Sequence, residues 1–199
     1  SGERSAVAVS YGYSLELMRP DSGHLSLGNL LESPYIDILT GPISYSGRLP
    51  GGSAPLPAPV DSVHLAGKLW VFEDDAKTHL ALEGEDETPD TYNPKIDTVE
   101  GVLAAHARNF GAALVRGAGM SFMDLWGQGW LADPAIWQNI GRLRSIGERL
   151  AQLRRSAGKA AAEPDVAVFV DERSFFGVRH EDNLLDELIA QHRDTLLRS

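Results

Sequence analysis

Short apolar runs alternate along this chain with longer stretches of helical period. The densest run, Leu69-Trp70-Val71-Phe72, is rich in β-formers and has no polar alternation. Such a run predicts a strand buried on both faces, as in a parallel sheet. It stops at Glu73-Asp74-Asp75, with Lys77, Thr78 and His79 just beyond. Three similar runs surround it. Ala6-Val7-Ala8-Val9 leads into Ser10-Tyr11-Gly12-Tyr13, Ile36-Asp37-Ile38-Leu39 leads through Pro42 to Tyr45 and Arg48, and Met120-Ser121-Phe122-Met123 leads to Asp124-Leu125-Trp126-Gly127. Each predicted strand therefore ends in polar or aromatic residues.

Helical patterns fill the intervals. Residues 24–31 predict a short helix closed by Glu32-Ser33-Pro34, since the residue before proline avoids helical geometry. Residues 60–66 allow one or two turns before Gly67. Asp97 with Glu100 reads as a capping box, Val99, Leu103, Phe110 and Leu114 as the buried face of the following helix, and Gly117 as its stop. Asp133-Pro134 opens the last long helix by the cap-then-proline rule, with Ile136, Ile140, Leu143, Ile146, Leu150 and Leu153 as its inner stripe. Residues 49–60, rich in proline, glycine and alanine, read as a lid over a site or as a linker.

This alternation predicts an α/β fold: a parallel (β/α) half-barrel of four βα units over residues 1–156. Residues 157–163 are a small-residue linker. Residues 164–199 then open a second α/β module, with a strand at 165–170 and an amphipathic helix at 183–197. No internal sequence repeat accompanies the alternation.

Composition narrows the choice. The 199 residues are 43% hydrophobic, enough to bury a core, and the net charge of −10 argues against nucleic acid or an anionic membrane as partner. Without cysteine there is no disulfide, thiolate zinc site or cysteine nucleophile. No signal peptide is read, which implies a cytoplasmic protein if the natural start lies near residue 1; Ser1-Gly2 resembles an expression scar. The acidic excursion at 83–90 lacks the alternating ligands of a calcium loop. His79 has no partner histidine at ligand spacing, and no metal or cofactor is expected. Gly117 and Gly119 precede their strand, so they cannot cradle a phosphate at the carboxyl-terminal rim.

The segments SYGY, DILTGPISYSGR, GKLWVFEDDAKTH and RNFGAALVRGAGMSFMDLWGQGWLADP, in that order, resemble the second half of a clan-A glycoside hydrolase barrel. They are most similar to the beta-galactosidases of glycoside hydrolase family forty-two, and the tail from Asp165 resembles the start of the flavodoxin-like domain that follows. The resemblance implies strands five to eight of an eight-stranded barrel, with Glu73 at the position of the nucleophile. It implies substrate-positioning roles for Tyr11, Tyr45, Arg48, Asp75, Lys77, Asp124 and Trp126. Lys77 stands where relatives often carry arginine, which removes a bidentate grip. The family's acid/base glutamate belongs to the fourth strand, upstream of Ser1, and Glu16 lies on a different strand.

A retaining glycosidase uses two carboxyl groups about 5–5.5 Å apart, and a whole barrel takes roughly 250 residues. A half-barrel also leaves two sheet edges and an inner face open. The expectation is therefore a retaining β-glycosidase acting on a carbohydrate substrate such as a β-galactoside, weak or inactive as a fragment without the acid/base strand. It gains its other half from the missing barrel half or from a second copy in a homodimer of facing half-barrels. The alternative is a non-catalytic carbohydrate-binding half-barrel, also a homodimer, in which Trp70, Trp126 and Trp130 stack on sugar rings. Plainer roles are core packing for Trp70 and local backbone capping for Asp124.

Overall fold

A computed structural model of the chain describes residues 5–10, 26–55, 57–82 and 93–157, with 167, 169, 171, 173 and 174. Tyr11, Glu16, the acidic excursion at 83–90 and nearly all of the expected second module lie outside the described residues.

The elements are β1 (Ala8–Ser10), α1 (Leu27–Glu32), β2 (Ile38–Pro42), α2 (Val60–Leu65), β3 (Leu69–Asp74), α3 (Val99–Val115), β4 (Gly119–Phe122) and α4 (Pro134–Ala157). The four strands form one sheet in chain order, and every neighbouring pair is parallel. Four βα units thus stand side by side as an open sheet, the arrangement of half a TIM-type barrel. Among the described residues no helix is long and apolar enough to cross a membrane.

The register sorts the side chains onto two faces. Leu39, Trp70 and Phe72 are fully buried on one face, where Val63 of α2 and Val102, Ala105 and Ala113 of α3 join the core. The other face carries Thr40 beside Val71, then Pro42 beside Glu73 and Ser121. This second face is only partly buried: along β3 the burial alternates, with Leu69 38% exposed and Val71 and Glu73 half-buried. The expectation that β3 is buried on both faces is thereby corrected. In a closed barrel the second face is filled by strands opposite, whereas among the described residues the sheet ends at β1 and β4.

The helices also depart from the expected stripes in instructive ways. The α3 cap is Thr98, not Asp97; its side chain accepts the Gly101 amide at 3.1 Å, and Thr and Asp are both good caps. The residues of α3 buried against the sheet are Val102, Ala105, His106, Asn109 and Ala113. Phe110 and Leu114 turn instead toward α4, where a Cβ added at Gly147 would meet the Phe110 ring at 3.1 Å. Gly117, at φ 73°, ends the helix as expected. Asp133 does cap α4, accepting the Ala135 amide at 2.7 Å. Only the first half of the α4 stripe is inward. Ile136 and Leu143 are buried while Ile146 and Leu153 are exposed; the helix packs along α3, where Gly147 lies against Phe110 and Leu114.

Candidate functional site

The three consecutive acids at the end of β3 reach three different environments. Glu73 projects on the open face, next to Pro42 and Ser121 in register. Its Oε1 accepts a hydrogen bond from Thr40 Oγ1 at 2.7 Å. Its backbone carbonyl accepts the Ile43 amide at 3.1 Å, which carries the β2–β3 ladder one residue past the strand end. A carboxylate therefore stands at the carboxyl-terminal rim of a parallel sheet, where chemistry sits in barrel folds.

Asp74 faces the opposite way, into the helix layer. It is 1% exposed, and its carboxylate accepts Asn109 Nδ2 at 2.9 Å and the Ala76 amide at 3.3 Å. His106 lies behind it, packed on the Phe122 ring with centroids 4.7 Å apart. Burial lowers the His106 pKa below the usual histidine value, and the Asp74 charge only partly offsets this.

Asp75 begins the loop after β3 and is consumed by a buried cluster. Arg48 Nη2 meets its Oδ1 at 2.7 Å, and Tyr45 Oη donates to its Oδ2 at 3.2 Å. The Arg48 guanidinium also donates to Asn93 Oδ1 at 2.7 Å, to the Ser44 carbonyl at 2.7 Å and to the Ile43 carbonyl at 3.2 Å. It stacks 4.0 Å over the Tyr45 ring. Asn93 closes the set by donating Nδ2 to the Asp75 carbonyl at 3.1 Å. Both charges are paired and hydrogen-bonded, the condition under which a buried ion pair is tolerated. Arg48 and Asp75 are thus held mainly by protein groups. Tyr45 is only half-buried.

The loop carrying Arg48 is fixed from behind. Arg108 of α3 donates to the carbonyls of Arg48, Leu49 and Gly52, each at 2.9 Å. Of the two readings for residues 49–60, the first stretch is a pinned connection rather than a free lid. Lys77 is buried in the loop after β3, where its carbonyl accepts the Ile96 amide at 3.0 Å, and that burial lowers its pKa.

The loop after β4 is organised by Asp124. Its carboxylate accepts the amides of Gln128, Gly129 and Trp130 at 3.1, 2.6 and 3.0 Å. Burial tends to raise the Asp124 pKa, but these amides, with that of Trp126, outweigh it and bring the pKa below the ordinary value. Trp126 is left 65% exposed at the loop tip, whereas Trp130 is fully buried with Nε1 donating to Gln128 Oε1. Trp70 is also fully buried. The stacking role expected for Trp70 and Trp130 is corrected accordingly: both are core, and of the three tryptophans only Trp126 faces solvent. The β3 and β4 loops are clasped by Thr78, which donates to the Trp130 carbonyl, and by His79 with Asp133 at 3.1 Å.

Of the residues the sequence singled out, Glu73, Tyr45, Arg48 and Asp75 gather around the ends of β2 and β3. Asp124 and Trp126 occupy the neighbouring β4 loop, and Tyr11 is outside the described residues. Thr40, Asn93 and Arg108 were not anticipated. Thr40 could have been found from its place two residues after Ile38 on the inner side of β2; Asn93 follows the acidic excursion with no local signal. No family model matches the chain, and no curated protein or solved structure matches it.

Proposed function

We propose that this half-barrel carries the nucleophile side of a retaining β-glycosidase site, similar in chemistry to the family forty-two beta-galactosidases. The observation that supports it is the position of Glu73: a half-buried carboxylate on the open face, at the carboxyl-terminal rim of parallel strands, held through one oxygen by Thr40. In this reading Glu73 attacks the anomeric carbon of a β-linked sugar. Tyr45 and Trp126 border the sugar. Arg48 and Asp75 keep Tyr45 in place rather than gripping substrate themselves, and Asp124 shapes the loop that presents Trp126. In this reading the proton donor required for an ordinary leaving group comes from a separate half carrying the fourth strand; a second copy of this chain across a twofold axis would close the open face without supplying that glutamate.

Chromogenic β-galactosides and β-glucosides, assayed together with a molar mass in solution, test this. Hydrolysis that Glu73→Gln abolishes while saccharide binding persists supports the reading, and a mass twice that of the chain supports the homodimer. A parent chain that binds saccharide but never cleaves it favours the second reading, a non-catalytic carbohydrate-binding half-barrel. The exposed Trp126 ring is what favours that reading, since aromatic faces stack on sugars whether or not catalysis follows.

A further inference from the structure

We infer that Thr40 is a positioning residue for Glu73: its hydroxyl holds Oε1 and turns Oε2 toward the open face as the attacking atom. The inference rests on the glycosidase reading and goes one residue beyond it. Thr40 sits on β2 two residue pairs below Glu73 and on the same face, its Cα in register with Val71. The 2.7 Å bond from its Oγ1 to Oε1 crosses from β2 to β3 on the partly buried side of the sheet. A glutamate side chain has three rotatable bonds, and the partial burial of Glu73 restricts them only in part. One short, charge-assisted bond from a β-branched residue, itself restricted at χ1, supplies further restriction.

An oxygen already committed to a donor is the poorer nucleophile, so the bond also separates the two carboxylate oxygens by task. Oε1 stays with Thr40, and Oε2 has no partner imposed by that bond. Preorganisation of this kind counts heavily, because a small misplacement of the attacking atom lowers the rate of bond formation steeply.

The first covalent step can be isolated from the proton donor by the choice of leaving group. With a 2,4-dinitrophenyl 2-deoxy-2-fluoro-β-glycoside, Glu73 Oε2 forms a bond to C1 while the C1–O(aryl) bond breaks. The electron pair leaves with dinitrophenolate, which needs no proton. The negative charge passes from carboxylate to phenolate, and the fluorine at C2 slows the loss of the sugar ester. The half-barrel can therefore be tested whether or not its acid is present.

The experiment incubates the full chain with the galacto- and gluco-configured probes, and follows intact mass over time with peptide mapping of the adduct. The expected result is one added fluoroglycosyl group on Glu73 in the parent. Thr40→Val is expected to slow labelling by about tenfold or more, as for loss of a hydrogen bond to a charged group, while Thr40→Ser retains most of the parent rate. Thermal unfolding of each variant verifies the fold, and Thr40→Ala replaces Thr40→Val if the latter is unfolded. Rescue by serine separates positioning from packing, because serine keeps the hydroxyl and loses the methyl group. Labelling of Glu73 in the valine or alanine variant at the parent rate overturns the role of Thr40 and leaves the glycosidase reading standing. A parent that gains no label, or gains it elsewhere, overturns both.

Discussion

Arg48 is the residue whose removal the structure penalises most specifically. Arg48→Met keeps an unbranched stem of similar length and deletes the guanidinium. It leaves the Asp75 carboxylate, 3% exposed, facing the vacated space, with the Asn93 amide oxygen and the Ser44 and Ile43 carbonyls each short of a donor. Breaking a buried ion pair from one side costs about 3–5 kcal/mol, because the surviving charge is uncompensated. Asp75 retains the hydrogen bond from Tyr45 Oη, so the lower end, about 3 kcal/mol, applies. For a domain of this size that shifts the thermal midpoint by about 6–12 °C. The loss is read by urea denaturation followed by circular dichroism, with calorimetry for the midpoint.

A double-mutant cycle with Asp75→Asn isolates the charge pairing. Once the carboxylate is neutral, Arg48→Met no longer strands a charge, so the second substitution costs less than the first. A coupling of about 2 kcal/mol or more is expected, within the range for residues in one network. A single Arg48→Met that loses under about 1 kcal/mol, or a cycle that is additive, would show that the cluster is screened by water. Arg48 and Asp75 would then not act as internal struts.

Two further outcomes follow from burial and charge. Because burial holds the His106 pKa below its unfolded value of about 6.5, the unfolded chain binds a proton that the folded chain refuses. Stability is thus level above that pH and falls as pH drops through it, and His106→Leu should flatten this slope in urea melts at pH 5 to 8, where an unchanged slope counts against it. Trp126→Ala and Trp130→Ala should separate cleanly: the first leaves stability within about 0.5 kcal/mol and weakens saccharide binding measured by calorimetry, while the second costs about 3–5 kcal/mol. Equal destabilisation by both would contradict the assignment of one ring to the surface and the other to the core.

The parallel order of strands was legible because each apolar run is followed by a helical period and each connection is long enough for a crossover. What periodicity could not convey was which side of β3 is covered. Leu69 and Val71 are as apolar as Trp70 and Phe72, yet the first pair lies on the partly buried face and the second in the core. That difference is set by what stands opposite, which no local pattern encodes. The α3 stripe failed for a related reason. Helix α3 packs on both the sheet and α4, so two faces are apolar and the larger residues, Phe110 and Leu114, mark the helix–helix contact instead of the sheet. The cluster around Asp75 depends on Asn93, 18 residues away across the acidic excursion, and a contact at that separation carries no spacing rule.

The run of three acids gains its meaning from the alternation that separates them. Consecutive residues of a strand point to opposite faces, so Glu73 and Asp74 cannot share a site, and Asp75 leaves the strand to meet Arg48. Two of the three charges are answered by Asn109 and Arg48; among the described residues, Glu73 accepts its side-chain hydrogen bond from the Thr40 hydroxyl on the open face. Asp74 and Asp75 therefore serve the fold, one tying β3 to α3 and the other tying it to the loop after β2, and in the proposed enzyme Glu73 is the acid of the three left to meet a substrate.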